Sequence, residues 1–273
     1  MSKKFSVLIS IYKNENPAWF REALDSVFAQ TLLPSEIVLV KDGPLTVDLN
    51  KIIDEYSLRF PIFKIIENEN NMGLGISLAR GLKECINEII ARMDTDDVIP
   101  TDRFEKQFDK ISEGYDVVSC WSQLYFKTID NIIAIKKRPS SHDDIIKLAK
   151  RRSPVCHAAC FFRKNAVLKA GNYKHCQYYE DYYLWIRMLM NNCKFYNLQE
   201  VLYYVRISPD TIGRRGGLRY AINEMKTFSL FRKEGFYSWI DLFRNTLTHI
   251  PIRLLPLNLR AFIFRKVWNV KSV

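Results

Sequence analysis

The segment Met93-Asp94-Thr95-Asp96-Asp97 packs three carboxylates into four consecutive positions. Carboxylates that close repel one another unless a cation or a set of hydrogen-bond donors offsets their charge. Alternating positions of an extended segment project to the same side, so Asp94 and Asp96 suit a hard divalent cation, Mn2+ or Mg2+, that keeps several waters and takes phosphate oxygens. The bare residues equally allow an acidic cap for the helix expected after Pro100. A second acidic pair, Glu180-Asp181, opens a stretch with Leu184, Trp185, Met188 and Leu189 at helical spacing. Carboxylates at a helix start are held ionised by the helix dipole, and an ionised carboxylate can accept a proton from a hydroxyl. Ordinary N-terminal helix charge is the competing reading.

The elements that position the first cluster alternate in type. Val7-Leu8-Ile9 leads to a helix capped by Asn16 with Pro17 in its first turn; Glu36 to Val40 leads past Asp42-Gly43-Pro44 to a helix with Ile52, Ile53 and Tyr56; Phe63 to Ile66 leads past Asn70-Asn71-Met72-Gly73 to a helix with Leu78, Leu82, Cys85 and Ile86; Glu88 to Met93 runs into the acidic cluster. Strand and helix in this alternation predict right-handed crossovers and a parallel sheet covered on both faces. Ligands bind such sheets outside the carboxyl ends of the strands. Ser10, Tyr12, Asp42, Asn71, Asp94 and Asp96 then fall along one edge: Tyr12 has a ring for a base to stack on, and Asp42 can accept from base or ribose donors. Taken singly, Asp and Asn after a strand are also ordinary turn residues.

Beyond Asp97 the alternation breaks. A helix over about Thr101 to Ile111 precedes strand-like runs at Asp116 to Phe126, Ile132 to Ile135 and Pro154 to Phe162, without regular helices between them, as in a mixed sheet; a further strand is expected at Glu200 to Arg206 and helices from about Gly217 on. His157 is a candidate binding residue in the last of these runs, and Arg206, Arg214 and Arg215, near Gly216-Gly217, form a basic loop that could close over a diphosphate.

A chain of 273 residues, 48% hydrophobic and 26% charged, has material for one sizeable core and is neither disordered nor fibrous. Six scattered cysteines in a chain of this length point to reduced thiols, and no second Cys or His pair completes a zinc set around Cys156, His157 and Cys160. No segment reaches the roughly 18 uninterrupted apolar residues of a membrane span, and the N-terminus shows no cleavage signal, so a cytoplasmic protein is expected. The formal charge of +11 calls for an anionic partner. Residues 232 to 273 hold eight basic against two acidic side chains, more than half of that surplus. Leu254, Leu255, Leu257, Leu259, Phe262 and Ile263 interleave with those charges, which suits an interfacial helix on an anionic membrane surface. No nucleic-acid partner is expected: the basic residues concentrate in the tail, and no helix-turn-helix, RRM or zinc-finger pattern occurs. A nucleotidyltransferase would also want aspartates and metal on an α/β sheet, and would release pyrophosphate.

Ser6 to Tyr12, Ala29-Gln30-Thr31 with Pro34 to Pro44, Asn71-Met72-Gly73-Leu74-Gly75 and Met93 to Asp97, in this order, resemble family 2 glycosyltransferases of the GT-A fold, most of all the bacterial enzymes of O-antigen, capsule and amylovoran-type polysaccharide synthesis. The resemblance covers about residues 4 to 235. It implies an α/β GT-A catalytic domain over 1–216, with a nucleotide-sugar half at 1–98 and an acceptor half at 99–216, followed by a basic helical region at 217–273 that is a candidate membrane-association element. It implies a nucleotide pocket at Ser10, Tyr12 and Asp42, a DxD motif at Asp94 and Asp96 with Asp96 the direct ligand of Mn2+ or Mg2+, and a general base at Asp181 beside Glu180. Arg214-Arg215-Gly216-Gly217 resembles a recurrent segment of the subgroup. Arg80 departs from it, since relatives often carry Asn there. The implied activity is inverting, metal-dependent transfer from a nucleotide sugar, with UDP the expected nucleotide, to a lipid-diphosphate-linked saccharide, forming a β-linkage. The implied place is the inner face of the bacterial cytoplasmic membrane.

Overall fold

The computed structural model describes residues 3–208 and 216–267. Four parallel strands, β1 (Ser6–Ile11), β2 (Glu36–Lys41), β3 (Phe63–Glu67) and β4 (Ile89–Arg92), lie in the order β3-β2-β1-β4. Their crossovers carry α1 (Pro17–Phe28), α2 (Val47–Arg59) and α3 (Leu74–Glu84). Successive residues of β1 and β2 enter opposite apolar layers, Leu8, Val38 and Val40 with α3 on one side and Val7, Ile9, Ile37 and Leu39 with α1 and α2 on the other. Burial on both faces is why these strands read as unbroken aliphatic runs. Asn16 accepts hydrogen bonds from the N–H groups of Ala18 and Trp19 at 2.9 and 3.3 Å, and Pro17 stands where an N–H would have no helical partner. At Gly81 a Cβ would come within 2.6 Å of the Leu8 and Val40 side chains, so α3 lies directly on the sheet. That helix stops at Glu84; Cys85 and Ile86, expected on its face, lie beyond it.

The second half comprises α4 (Arg103–Ser112), β5 (Val117–Phe126), β6 (Thr128–Lys136), α5 (His142–Ala149), β7 (Phe161–Arg163), α6 (Lys164–Lys169), α7 (Glu180–Met190) and β8 (Phe195–Arg206). Short β7 is antiparallel to both β4 and β5, β6 is antiparallel to β5, and β8 runs parallel to β5, which completes a mixed, mostly parallel sheet. The strand expected over Pro154 to Phe162 is a turn of 3-10 helix at His157–Ala159 followed by the first two residues of β7. Side chains of α4 take the carbonyls that a ladder would have used: Arg103 Nη2 donates to Ala158 O at 3.3 Å and Gln107 Nε2 to Ala159 O at 2.8 Å. Two short helices, α5 and α6, stand where no regular helix was expected, and β8 begins at Phe195 rather than Glu200.

The chain ends, among the described residues, in α8 (Leu218–Lys233), α9 (Trp239–Leu254) and α10 (Leu257–Val267). α8 joins the core on α7, where Phe231 meets the Tyr182 ring edge-on at 4.9 Å. Glu224 of α8 is buried and ties down α9: it accepts from Arg253 Nε at 2.8 Å and Nη2 at 3.0 Å, and its Oε1 lies 3.1 Å from His249 Nδ1. Burial alone would raise its pKa, but the His249 and Arg253 hydrogen bonds hold the carboxyl down to about 2. A depressed carboxyl adds stability that is complete above its unfolded value of about 4.3 and is lost as pH falls through the folded value. Glu224→Ala leaves Arg253 buried without its carboxylate and is expected to lower stability by about 3 kcal/mol at neutral pH. Urea denaturation at pH 7 measures this, and the gap between wild type and variant should narrow toward pH 2.

Candidate active site

The carboxyl ends of β3, β2, β1 and β4 deliver Asn68, Asp42, Tyr12 and the acidic cluster to one edge of the sheet. Ser10, partly exposed, is the penultimate residue of β1 and pairs in register with Val40. Buried Asp42 is occupied by its own fold: Oδ1 accepts from Met72 N at 2.7 Å and Asn68 Nδ2 at 3.2 Å, and Oδ2 from Gly73 N at 3.0 Å. Asn71 Nδ2 reaches the Asp42 carbonyl at 3.4 Å. Asp42 therefore fixes the loop between β3 and α3, with about one of a carboxylate's four acceptor positions left over. Gly43, at φ +87, lies so close to that loop that a Cβ would be 2.8 Å from Asn71 N. Arg80 completes the arrangement by donating to Asn68 Oδ1 at 2.7 Å and Glu67 O at 2.8 Å.

Asp94, Asp96 and Asp97 each offer a carboxylate oxygen within 4.8 Å of the others. Burial and then the Asp94 charge push Asp96 up to about 6; burial, Asp96 and Asp94 hold Asp97 well above the carboxylate range. A hard cation with oxygen ligands relieves that kind of repulsion, so the donor set fits Mn2+ or Mg2+. The loop is braced from several directions. Tyr203 of β8 sets its hydroxyl 3.2 Å from Asp94 N, which donates to it. Arg206, the last residue of β8, donates its N–H to Asp97 Oδ1 at 2.8 Å and Nε–H to Asp96 O at 3.0 Å, pairs with Glu22 of α1, and lies 5.0 Å from the centres of both the Trp19 and Tyr125 rings. Arg206 thus belongs to the wall of the acidic loop. Arg214 and Arg215, expected beside it, lie outside the described residues.

Beneath the cluster Arg92 is wholly buried, with Nη1 2.5 Å from Asp94 Oδ1, while its Nε and Nη2 have no hydrogen-bond partner among the described residues. Arg92 also neighbours Tyr173, whose hydroxyl lies 2.8 Å from His157 Nε2. Burial, then the Arg92 charge, holds the His157 imidazole well below its usual range, so it is neutral at pH 7. Asp181 and Asp94 both act electrostatically on Tyr173, which links the start of α7 to the acidic loop. Glu180 and Asp181 are half-buried in the first turn of α7. Burial, the leading cause, raises the Glu180 pKa, and its side chain lies against α3, where a Cβ at Gly75 would be 2.8 Å from Glu180 Cγ. Glu180 thus packs at the start of α3, and Tyr173 neighbours both the head of α7 and the acidic loop.

Sequence reasoning did not single out Arg92 or Tyr203, and it reached Asn68 only as the first of the polar run Asn68 to Asn71 after the third strand. Arg92 carried a signal, a cation in an otherwise apolar strand shortly before three acids; Tyr203, inside β8, carried none.

This architecture, a nucleotide-type sheet edge with an acidic loop facing a helix-borne acidic pair, is that of a GT-A transferase. It is similar in fold to the mannosyltransferase PcManGT from Pyrobaculum calidifontis, solved with GDP-Man and Mn2+, with a TM-score of 0.68 over 98% of this chain and 76% of that one at 15% identity. Residues 6–171 match Glycosyl transferase family 2, so the chain belongs to that family and is a glycosyltransferase. It is 40% identical over 267 residues to the UDP-Gal:alpha-D-GlcNAc-diphosphoundecaprenol beta-1,3-galactosyltransferase of Escherichia coli, spanning 97% of this chain and 96% of that protein. It is 35% identical over 265 residues to the amylovoran biosynthesis glycosyltransferase AmsE of Erwinia amylovora, spanning 96% and 98%.

Proposed function

We propose that this glycosyltransferase moves a sugar from a UDP-sugar to a lipid-diphosphate-linked saccharide, with inversion, at the inner face of the bacterial cytoplasmic membrane during O-antigen or capsule synthesis. The observation that carries the reading is the convergence of Asp94, Asp96 and Asp97, within 4.8 Å of one another, at the carboxyl edge of the parallel sheet, with Asp181, in the first turn of α7, and Asp94 both acting electrostatically on Tyr173. The 40% identical relative is named for UDP-Gal as donor and GlcNAc-diphosphoundecaprenol as acceptor, which makes those the first donor and acceptor to try. In this reading residues 1–98 hold the donor, 99–216 the acceptor, and 217–273 the membrane side.

Tyr12 stacks on the base, Ser10 and the remaining acceptor position of Asp42 bond the nucleoside, and Asn71 stands at the rim of the same loop. Asp96, with Asp94, would hold Mn2+ or Mg2+, and the bound cation supplies positive charge against the charge that grows on the departing diphosphate. Asp181 accepts the acceptor hydroxyl's proton as that oxygen bonds to the anomeric carbon on the face opposite the diphosphate, whose bond to the same carbon breaks. Glu180 supports Asp181; neutral His157 is available to the acceptor saccharide as a hydrogen-bonding group, and Arg214 and Arg215 to a diphosphate. One displacement turns an α-linked donor into a β-linked product. NMR of the product made from UDP-Gal and a short-chain GlcNAc-diphosphate-lipid analogue tests this: the account expects the large one-to-two proton coupling of a β-galactoside, and a retained α configuration contradicts it.

A further inference from the structure

α9 is amphipathic in the inverted sense. At 100° per residue, Trp239, Ile240, Phe243, Leu247, Ile250 and Leu254 fall within an arc of about 100°. Five of these are largely open to solvent: Trp239 at 69%, Ile240 at 77%, Phe243 at 67%, Leu247 at 56% and Leu254 at 54%. The polar face is the one turned to the protein. Asp241 caps its own helix through Ser238 and pairs with Arg244 at 3.0 Å, Asn245 Nδ2 donates to Lys150 O at 2.9 Å, and His249 and Arg253 meet Glu224. A helix that spends its polar side on internal bonds and offers a continuous apolar stripe outward is built for a non-aqueous partner.

Charge selects the partner. The segment from 232 onward carries the basic surplus, and Arg232 extends its guanidinium over the Trp239 ring at 4.7 Å, beside the stripe. The two acidic residues of that segment both hold contacts with the body of the protein: Asp241, whose Oδ2 lies 3.6 Å from Lys150 Nζ, and Glu234, which accepts from the Tyr183 hydroxyl at 2.9 Å. Two copies joined through this face would bring like charges together, whereas an anionic leaflet complements both the charge and the stripe. The stripe also ends beside the site. Arg253, next to Leu254, accepts from Gly217 N at 2.9 Å and lies over Tyr220 at 4.8 Å; Tyr220 stacks on Tyr178 at 5.0 Å, two residues before Glu180.

We propose that the outward face of α9, centred on Trp239, Ile240, Phe243 and Leu247, is the surface by which the enzyme docks on an anionic lipid bilayer, bringing the head of α7 to acceptors carried in that bilayer. The part that concerns acceptors rests on the function proposed above; the docking does not. Ile240→Ser/Phe243→Ser/Leu247→Ser in the full chain changes only exposed side chains, and its thermal midpoint should equal that of wild type. Flotation with vesicles of phosphatidylcholine, with and without phosphatidylglycerol, is expected to show wild type bound to the anionic vesicles and the triple variant bound at least about tenfold less. Transfer to a water-soluble acceptor analogue should be unchanged in the variant, and transfer to a vesicle-embedded acceptor should fall by about the same factor. Equal vesicle binding by wild type and variant overturns the proposal, as does sedimentation velocity showing a wild-type dimer that the variant splits. Vesicle binding that depends on these residues in a protein that transfers sugar to neither acceptor would uphold the docking and sink the acceptor reading.

Discussion

Asp96→Asn is expected to lower kcat for sugar transfer by about a thousandfold while leaving the protein folded and slightly more stable without metal. The first effect follows from removing the carboxylate proposed above as the direct ligand of the cation. The second follows from electrostatics. Asp96 is partly buried beside Asp94, and a pKa raised to about 6 means that its charged form, though predominant at pH 7, costs more in the folded than in the unfolded chain. Substituting a neutral amide removes that repulsion, and about 1 kcal/mol of relief raises the thermal midpoint by about 2–4 °C in a chain of this size. Mn2+ should raise the wild-type midpoint, since a ligand at a hundred times its Kd stabilises by about 2.7 kcal/mol, and should leave that of Asp96→Asn where it was. Differential scanning fluorimetry with Mn2+ and with EDTA, beside turnover, reads both effects. A variant that keeps turnover, or whose midpoint still rises with Mn2+, would remove Asp96 from the metal site.

The second large effect is expected at the head of α7. Asp181→Asn keeps the shape and removes the proton acceptor, and should lower kcat for transfer by about 10^2 to 10^4. The donor KM should be unchanged, because the role proposed for Asp181 is on the acceptor hydroxyl and not on the nucleotide. Glu180→Gln serves as the neighbouring control: its side chain packs on Gly75 of α3, and the expected loss is smaller. Steady-state kinetics with donor and acceptor varied separately distinguish the two. If Glu180→Gln costs more than Asp181→Asn, the two roles are exchanged.

The parallel half of the sheet was legible because its strands are short, mostly aliphatic runs and each ends in a polar turn, so that order along the chain and the rule of binding at strand carboxyl ends sufficed to collect Ser10, Tyr12, Asp42, Asn71, Asp94 and Asp96 on one edge. What was not legible is what those residues do for the protein itself. Asp42 reads as a free acceptor in sequence; in the fold, three donors from the next loop saturate most of it. Arg206 reads as part of a basic loop, yet its partners Glu22 and Asp96 lie 184 and 110 positions away, and only the mixed half of the sheet brings β8 to them. The turn at His157–Ala159 escaped for a similar reason: Ala and Cys side chains fit a strand as readily, and the choice was made by Arg103 and Gln107 reaching across from α4. The basic tail was visible by composition. That the apolar stripe of α9 faces outward was not, because hydrophobic periodicity marks a face without saying which way it points, and here the inward side is fixed by Glu224 and Lys150.

The most direct measurement is release of nucleoside diphosphate from a panel of nucleotide sugars, with Mn2+ or EDTA, and with or without a GlcNAc-diphosphate-lipid acceptor. The account predicts UDP release from one UDP-sugar, dependent on the metal and raised by the acceptor. Release that is indifferent to EDTA, or pyrophosphate in place of UDP, would contradict it.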